Sequence, residues 1–325
     1  MLIRFVIKRI IILFPVVIGI SIILFIVQHI MPGDPVRALM PPDVRPEHWQ
    51  AVYDAIEARL GLDRPVIEQY FRWVYSFFIR GEFGYSTMMN MSVNAAIREP
   101  LRNTIILNSF VIMFHLAIAL PVGIKMAVKR GSLFDNTWQV FSLATFSLPA
   151  FFLALTLIFI FSITLGWLPV SGMPNPHLLQ GRDLYIGWLR HLALPVTTLV
   201  IMSLAGAIRY IRNAMIDALS QDYIRTARSK GLSEKVVIYS HAFRNALIPI
   251  STIIVGVVFS LFAGAVITET VFGYNGIGRL LIQGVNNRDR MLIISTNMLF
   301  ALINVTSILI ADIVYGLVDP RIKLK

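Results

Sequence analysis

Long apolar runs, nearly free of charge, alternate with polar stretches along this chain. Six runs reach the length that a hydrocarbon core of about 30 Å requires of a helix, roughly 20 residues. They cover residues 10–30, 104–124, 137–167, 192–208, 246–268 and 291–318, and Phe141 to Trp167 is the most apolar part of the third. Peptide groups in lipid must find partners within their own segment, so all six read as helices. Prolines 15, 121, 149 and 195 fall inside these runs or at their edges, where they predict kinks or helix starts. The fourth run is short and starts near Pro195. The first, Ile10 to Ile30, is too long for the apolar region of a signal peptide and lacks a small-residue cleavage site, so it predicts a retained helix.

The polar stretches sort into two sides. The N-terminus, residues 125–135, residues 209–244 and the C-terminus fall on one face of a six-span arrangement and hold 16 of the 29 basic residues. Lys8, Lys125, Lys129, Lys230, Lys235, Lys323 and Lys325, all the lysines of the chain, are on that face. Basic residues concentrate in cytoplasmic loops, so both termini are expected in the cytoplasm. Residues 31–103 are then extracytoplasmic and open with Pro32-Gly33-Asp34-Pro35, which stops the first helix. Glu47 to Leu60, closed by Gly61, and Val66 to Ile79, closed near Gly81, read as two short helices. In the second, Val66, Tyr70, Trp73, Val74 and Phe77 recur at helical spacing, the pattern of a helix laid on the membrane face or the bundle. A cap over a ligand is the other reading of the same stripe.

Composition agrees with a membrane protein. Of the 325 residues, 56% are hydrophobic and 14% charged, against about a quarter charged in a soluble domain. One transmembrane domain, residues 1–325, accounts for the chain without an internal repeat. The net charge of +11 flanks the apolar runs and forms no single basic face, which makes lipid a partner and excludes nucleic acid. With no cysteine there is no disulfide, and the redox state of the compartment is not legible. The chain carries no G-x-x-x-x-G-K-[ST] phosphate loop and no serine in a nucleophile elbow. His29, His48, His115, His177, His191 and His241 are scattered, as packing or interfacial residues are. No catalytic residue, metal site or cofactor is therefore expected on this chain.

Gln221 to Ile250 reads QDYIRTARSKGLSEKVVIYSHAFRNALIPI. Its residues give two short helices broken at Gly231, which adopts a left-handed turn at little cost, with Ser233 capping a second helix from about Glu234 to Arg244. A basic helix–turn–helix and an ordinary positive-inside loop both satisfy this composition. The order of residues goes further. The stretch resembles the cytoplasmic signature of ABC-importer permeases: Glu-Ala-Ala, three residues, Gly, nine residues, Ile-x-Leu-Pro. Arg225, Thr226 and Ala227 occupy its first positions and Gly231 its glycine, whereas His241, Phe243 and Arg244 stand where Ile, Leu and Pro would be. These departures are similar to the variant in the dipeptide, oligopeptide and nickel permeases. Further likenesses run in order along nearly the whole chain: His29 to Pro35, Gly81 to Ser86, Val128 to Asp135, Trp167 to Gly172, His191 to Leu199, Thr268 to Asp289, Asp312 to Tyr315 and Asp319-Pro320-Arg321.

The resemblance implies an all-α membrane protein with the ABC type I importer permease fold. It implies a non-enzymatic subunit that transports peptides alongside a second homologous permease, two ATPase subunits that bind ATP and Mg, and an extracytoplasmic solute-binding protein. The setting is the cytoplasmic membrane of a bacterium or archaeon. A nickel or other small-solute importer is the alternative, and an ion-coupled carrier is disfavoured because the span centres lack Asp, Glu, Lys and Arg. The ATPase-coupling segment becomes Arg225, Thr226, Ala227, Arg228, Lys230, Gly231, Ser233, Glu234, His241, Phe243 and Arg244, with Tyr223, Leu232 and Phe243 as apolar anchors. Glu269, Tyr274, Asn275, Gly276, Gly278 and Arg279 are expected near the outer mouth, as a gate, a binding-protein contact or a packed loop. Asp312, within the last run, requires a partner such as an arginine or an asparagine.

Overall fold

The computed structural model of the chain describes residues 2–175 and 178–318. His177, Asp319, Pro320, Arg321, Lys323 and Lys325 lie outside the described residues. Helix α1 (Leu2–Ile30) is followed by the short α2 (Pro35–Ala38), α3 (Trp49–Leu60) and α4 (Val66–Tyr75). A two-stranded hairpin, β1 (Tyr85–Ser86) against β2 (Met91–Ser92), leads into the long α5 (Val93–Val128), whose N-terminus is capped by the Ser92 hydroxyl. Then come α6 (Leu133–Ser147), α7 (Ala150–Leu157), α8 (Gly181–Leu219), α9 (Asp222–Ser229), α10 (Glu234–Val236), α11 (Arg244–Phe259), α12 (Val266–Val271), α13 (Ile277–Asn286) and α14 (Arg290–Val318).

The first and last helices run antiparallel along their whole length. At one end Arg290 of α14 donates to the carbonyls of Met31 and Gly33, just past the end of α1. At the other, Arg9 meets Asp312 at 3.1 Å. The start of α1 and the end of α14 therefore share one side, which an even number of crossings requires. Asp312 has the arginine partner that its place in an apolar run demands.

The third span is not the single helix that 137–167 predicts. Proline lacks an N–H and forces the preceding residue out of the helical region. Leu148 is accordingly extended (φ −87°, ψ 130°), and the helical segments on either side of Pro149, Leu133–Ser147 and Ala150–Thr164, meet at 104°. The bent pair still crosses the membrane. Its start is tied to Arg212 of α8 through Asp135, and its end to Arg190 of α8, which donates to the Trp167 carbonyl at 2.8 Å. Twenty-two residues of helix separate these two arginines, about 33 Å at 1.5 Å per residue.

Two more runs differ from expectation. The fourth span does not start near Pro195. Its helix starts at Gly181 and carries Pro195 inside, because Arg182, Asp183 and Arg190 interrupt hydrophobicity without interrupting helix. The fifth, 246–268, is broken: α11 ends at Phe259, a 3-10 turn covers Ser260–Phe262, and α12 resumes at Val266. Carbonyls at this break, of Ser260, Leu261 and Ala263, accept from the Asn108 amide at 2.8, 3.1 and 2.9 Å, and that of Ser260 also from the Ala263 N–H at 3.1 Å. Breaks at membrane depth survive only where protein supplies such partners.

The main core lies between α5 and α8, where small residues such as Ala119, Ala127 and Ala207 let the helices approach. It continues without interruption through Ile211 and Met215 into Ile224, Ala227, Val237 and Ala242 of the segment that follows. Between α1 and the hairpin, α3 and α4 match the two short helices read from 47–60 and 66–79. They close at Gly61 and, after a wide turn over Ser76–Arg80, at Gly81, both with positive φ.

Candidate functional site

Two constellations, one at each end of the bundle, gather the residues singled out by sequence. The first is the projecting segment after α8. Helix α9 buries Ile224 and Ala227 against the core and turns outward the rest of its surface. The chain reverses at Gly231 (φ +75°), where a side chain would meet no atom within 4 Å. Ser233 holds the N-cap position of the return helix, yet its hydroxyl makes no capping bond. Arg228 closes the turn instead, gripping the Glu234 carboxylate through Nε at 2.8 Å and Nη2 at 3.3 Å.

The return helix does not stop at Arg244, as the sequence reading had it. Residues 234–259 form one helical run, with a wide π-type turn over Val237–Phe243. Pro249 is accommodated inside this run. The hairpin is thus rigidly continued by a membrane helix on the return side, while on the other only Ser220 and Gln221 separate it from α8.

Of the expected docking residues, Arg225, Thr226, Lys230, Gly231, Ser233 and Arg244 are exposed, and Arg225 pairs with Asp222 at 3.8 Å. Arg228 and Glu234 are committed to each other. Ala227 is buried, while His241 and Phe243 are half-buried, with Phe243 packed against the core. Tyr223 and Leu232 are exposed, joined by Val236 and Tyr239, which sequence reasoning missed. Apolar residues exposed beyond the apolar runs were the available signal. The tip offers apolar patches rimmed by Arg225, Lys230 and Lys235.

The second constellation is the glycine-rich stretch after the broken fifth span. Glu269 is fully buried. Its Oε1 accepts from the Thr104 hydroxyl at 2.8 Å and the Ala265 N–H at 3.2 Å, and its Oε2 from the Arg279 N–H at 2.9 Å. Thr104 in turn accepts from the Ile277 N–H at 2.9 Å. Asn103 donates to the Asn275 carbonyl at 2.9 Å, and the Tyr274 hydroxyl donates to the Asn103 carbonyl at 2.8 Å. Burial, aided by the charge of Glu269, pushes the Tyr274 hydroxyl far above the usual phenol range, so it remains a donor. A Cβ on Gly276 would sit 2.5 Å from Glu269 Oε2, and one on Gly278 2.9 Å from it. Arg279 also holds the Gly273 carbonyl.

Glu269, Tyr274, Gly276 and Gly278 are therefore interior, and a contact with an external protein through their side chains does not fit. The stretch is a loop sewn to α5. The surface it leaves exposed runs from Val285 to Arg288. Asn103, Thr104 and Asn108 were overlooked by sequence reasoning, although three polar side chains within six residues of an apolar helix are a readable signal. Asp289 makes a similar knot, accepting from the Ser86 hydroxyl and, at 3.0 Å, from the Met88 N–H, so it pins the hairpin to α14.

On the side of the projecting hairpin, buried Asp135 takes a two-pronged bond from Arg212 at 2.6 and 2.8 Å. The histidines do separate jobs: His29 and His191 bond carbonyls one turn back, and His115 pairs with the Ser203 hydroxyl at 2.7 Å between α5 and α8.

Six apolar crossings, an exposed hairpin continuous with the bundle and a sewn outer loop describe a multi-pass membrane protein with a basic hairpin projecting at one end. Family comparison agrees. Residues 119–324 match the binding-protein-dependent transport system inner membrane component, and residues 1–117 match the N-terminal model of the same components. The chain belongs to this family. It is a multi-pass inner-membrane permease subunit of an ATP-driven importer, not an enzyme itself; hydrolysis falls to a separate ATPase, and a substrate-binding protein delivers the solute.

Among its relatives, a putative peptide permease of Brucella suis is 35% identical and covers 99% of this chain and 100% of its own length. The di/tripeptide transport system permease protein DppB of Pseudomonas aeruginosa is 36% identical, with 99% of each chain covered. The dipeptide transport system permease protein DppB of Alkalihalophilus pseudofirmus is 36% identical over 97% of this chain and 98% of its own. Among solved structures, the inward-facing methionine transporter MetNI gives a TM-score of 0.49 at 16% identity, covering 66% of this chain and 94% of that one.

Proposed function

We propose that this chain pairs with a second homologous permease to line the translocation pathway of a di- or oligopeptide importer. Two ATPase subunits, which bind the ATP and Mg, drive the pair, and an extracytoplasmic peptide-binding protein feeds it. The membrane is the cytoplasmic membrane of a bacterium or archaeon, with both termini of this chain in the cytoplasm. Full-length relatives named for peptide transport support the substrate class, and the placement of all the lysines supports the orientation.

The observation that carries the coupling role is the continuity of the hairpin with the bundle. Its tip is exposed and basic, its root shares the α5–α8 core, and its return strand becomes α11 without a break. A groove of an ATPase that grips Tyr223, Leu232, Arg225 and Lys230 would move α8 and α11 as stiff bodies, the rocking by which such bundles alternate access.

The test is uptake by the assembled transporter in proteoliposomes with its cognate binding protein. Labelled di- and tripeptides should accumulate only with ATP on the hairpin side, and a cysteine at Lys230 should label from that side, opposite one at Glu47. Uptake of nickel in place of peptide, or uptake without ATP, overturns the reading.

A further inference from the structure

Helix α4 is anchored on one face and open on the other. The Tyr70 hydroxyl shares a hydrogen bond with Ser21 at 2.8 Å, and the rings of Tyr70 and Trp73 lie 5.3 and 6.1 Å from Phe25. Ser21 is nine residues short of the end of α1, about 13 Å down the helix, so α4 lies alongside the apolar run of α1 and not beyond its end. Its opposite face is bare, Ile67 being 73% exposed and Phe71 64%, and in the turn that follows Ile79 is 70% exposed. Beneath it, between α1 and α14, opens a groove of about 1410 Å³ walled by Phe14, Val17, Ile18, Val305 and Leu309. That is larger than the roughly 300–1,000 Å³ of an ordinary small-molecule pocket.

The rim is different chemistry. Glu68 is held by Arg64 and by Arg72, so one carboxylate faces two arginines. Arg80 has no carboxylate partner among the described residues, and its guanidinium lies 5.3 Å from the centre of the Tyr75 ring. Cations on an interfacial helix with aromatic and aliphatic side chains below them stand at headgroup depth.

From this pairing of an apolar groove with a cationic rim we infer a phospholipid site: acyl chains lie between α1 and α14 beneath α4, and Arg80 and Arg72 hold an anionic headgroup. A partner's apolar helix is the poorer occupant, because it would bury the surplus positive charge against hydrocarbon. The site stands apart from the transport reading, since α4 belongs to neither the hairpin nor the sewn loop.

The assembled transporter, in nanodiscs containing equal phosphatidylglycerol and phosphatidylethanolamine, tests it by native mass spectrometry of retained lipid. Wild type should retain phosphatidylglycerol preferentially. Arg80→Gln and Arg72→Gln should each lower that retention about fivefold, the equivalent of ~1 kcal/mol per basic residue near an anionic surface, and Arg80→Lys should keep most of it. Val17→Trp, or Leu309→Trp on the facing helix if the first fails to assemble, should lower retention of both lipids by narrowing the groove. Retention unchanged in the arginine and tryptophan variants overturns the site. So does a crosslink from a cysteine at Val17, in this otherwise cysteine-free chain, to another subunit, which would give the groove to protein.

Discussion

At Gly231 the backbone is left-handed and the surrounding space is empty; at Gly276 the backbone is extended (φ −104°, ψ 176°) and the space is full. The first glycine is required for its conformation, because an L-residue there pays a steric cost in the backbone alone. The second is required for its size, because the Glu269 carboxylate occupies the place of a side chain. The two ends of the bundle are built accordingly. The hairpin end is held by one exposed ion pair and a shared core, which leaves its tip available. The outer end is held by a buried carboxylate with three donors, which fixes the loop against α5. The exposed hairpin and the buried loop thus differ in which property of glycine they use.

The comparison breaks most sharply at the outer loop. Gly276→Ala should cost about 3 kcal/mol, the upper range for overpacking, since backbone and carboxylate must both shift. Glu269→Ala should cost about as much for the opposite reason: it strands two N–H groups and a hydroxyl in the interior, at ~1–3 kcal/mol each. Both effects are read as lost thermal stability and lost assembly of the detergent-purified complex. If Gly276→Ala is as stable as wild type, the loop is not sewn shut and a mobile outer gate returns to consideration.

How far this was legible in the sequence follows from the kind of force involved. Spans announced themselves through charge-free length, and Gly231 through its position between two helical patterns. Pro149 was visible, but not its consequence, since a proline predicts a kink and only packing against α8 sets it at 104°. Phe243 read as a surface anchor because its neighbours are basic; it is half-buried because the return helix runs on into α11 and packs it against the core. Glu269 read as a mouth residue because it stands at the outer end of the fifth apolar run, just before the glycine-rich stretch. Its partners Thr104 and Arg279 come from separate elements, and Asn108 likewise serves carbonyls more than 150 positions away. Long-range polar pairing leaves little local pattern, whereas span length and helix breaks do.

At the other end the expected effect on stability is smaller and the effect on function larger. Gly231→Val places a β-branched residue where φ is +75°, at a cost of about 1–2 kcal/mol confined to the turn. The spans should insert and the complex should assemble. Transport should fall steeply, and ATPase activity should lose its dependence on loaded binding protein. Gly231→Asn, which tolerates the left-handed region better, should fall between. Normal transport in Gly231→Val, with hydrolysis still stimulated by substrate, would reduce the hairpin to a topology-setting basic loop.

The smallest expected effect lies in the ion pair across the Gly231 turn. Arg228 and Glu234 bridge the Gly231 turn with both ends of the fork, but their side chains are 49% and 62% exposed. Water and salt screen such a pair, so a double-mutant cycle with Arg228→Ala and Glu234→Ala should give a coupling energy of only ~0.2–1 kcal/mol, shrinking as salt rises. If the pair sets the angle of the hairpin, a coupling this weak in stability should still register in function. Each single variant should lower the stimulation of ATPase activity by loaded binding protein, and the charge-swapped pair Arg228→Glu with Glu234→Arg should restore part of it. Rescue by the swap assigns the pair to the geometry of the turn. A swap that stays as impaired as the single variants assigns Arg228 to the ATPase surface, and the clamp is then incidental to coupling.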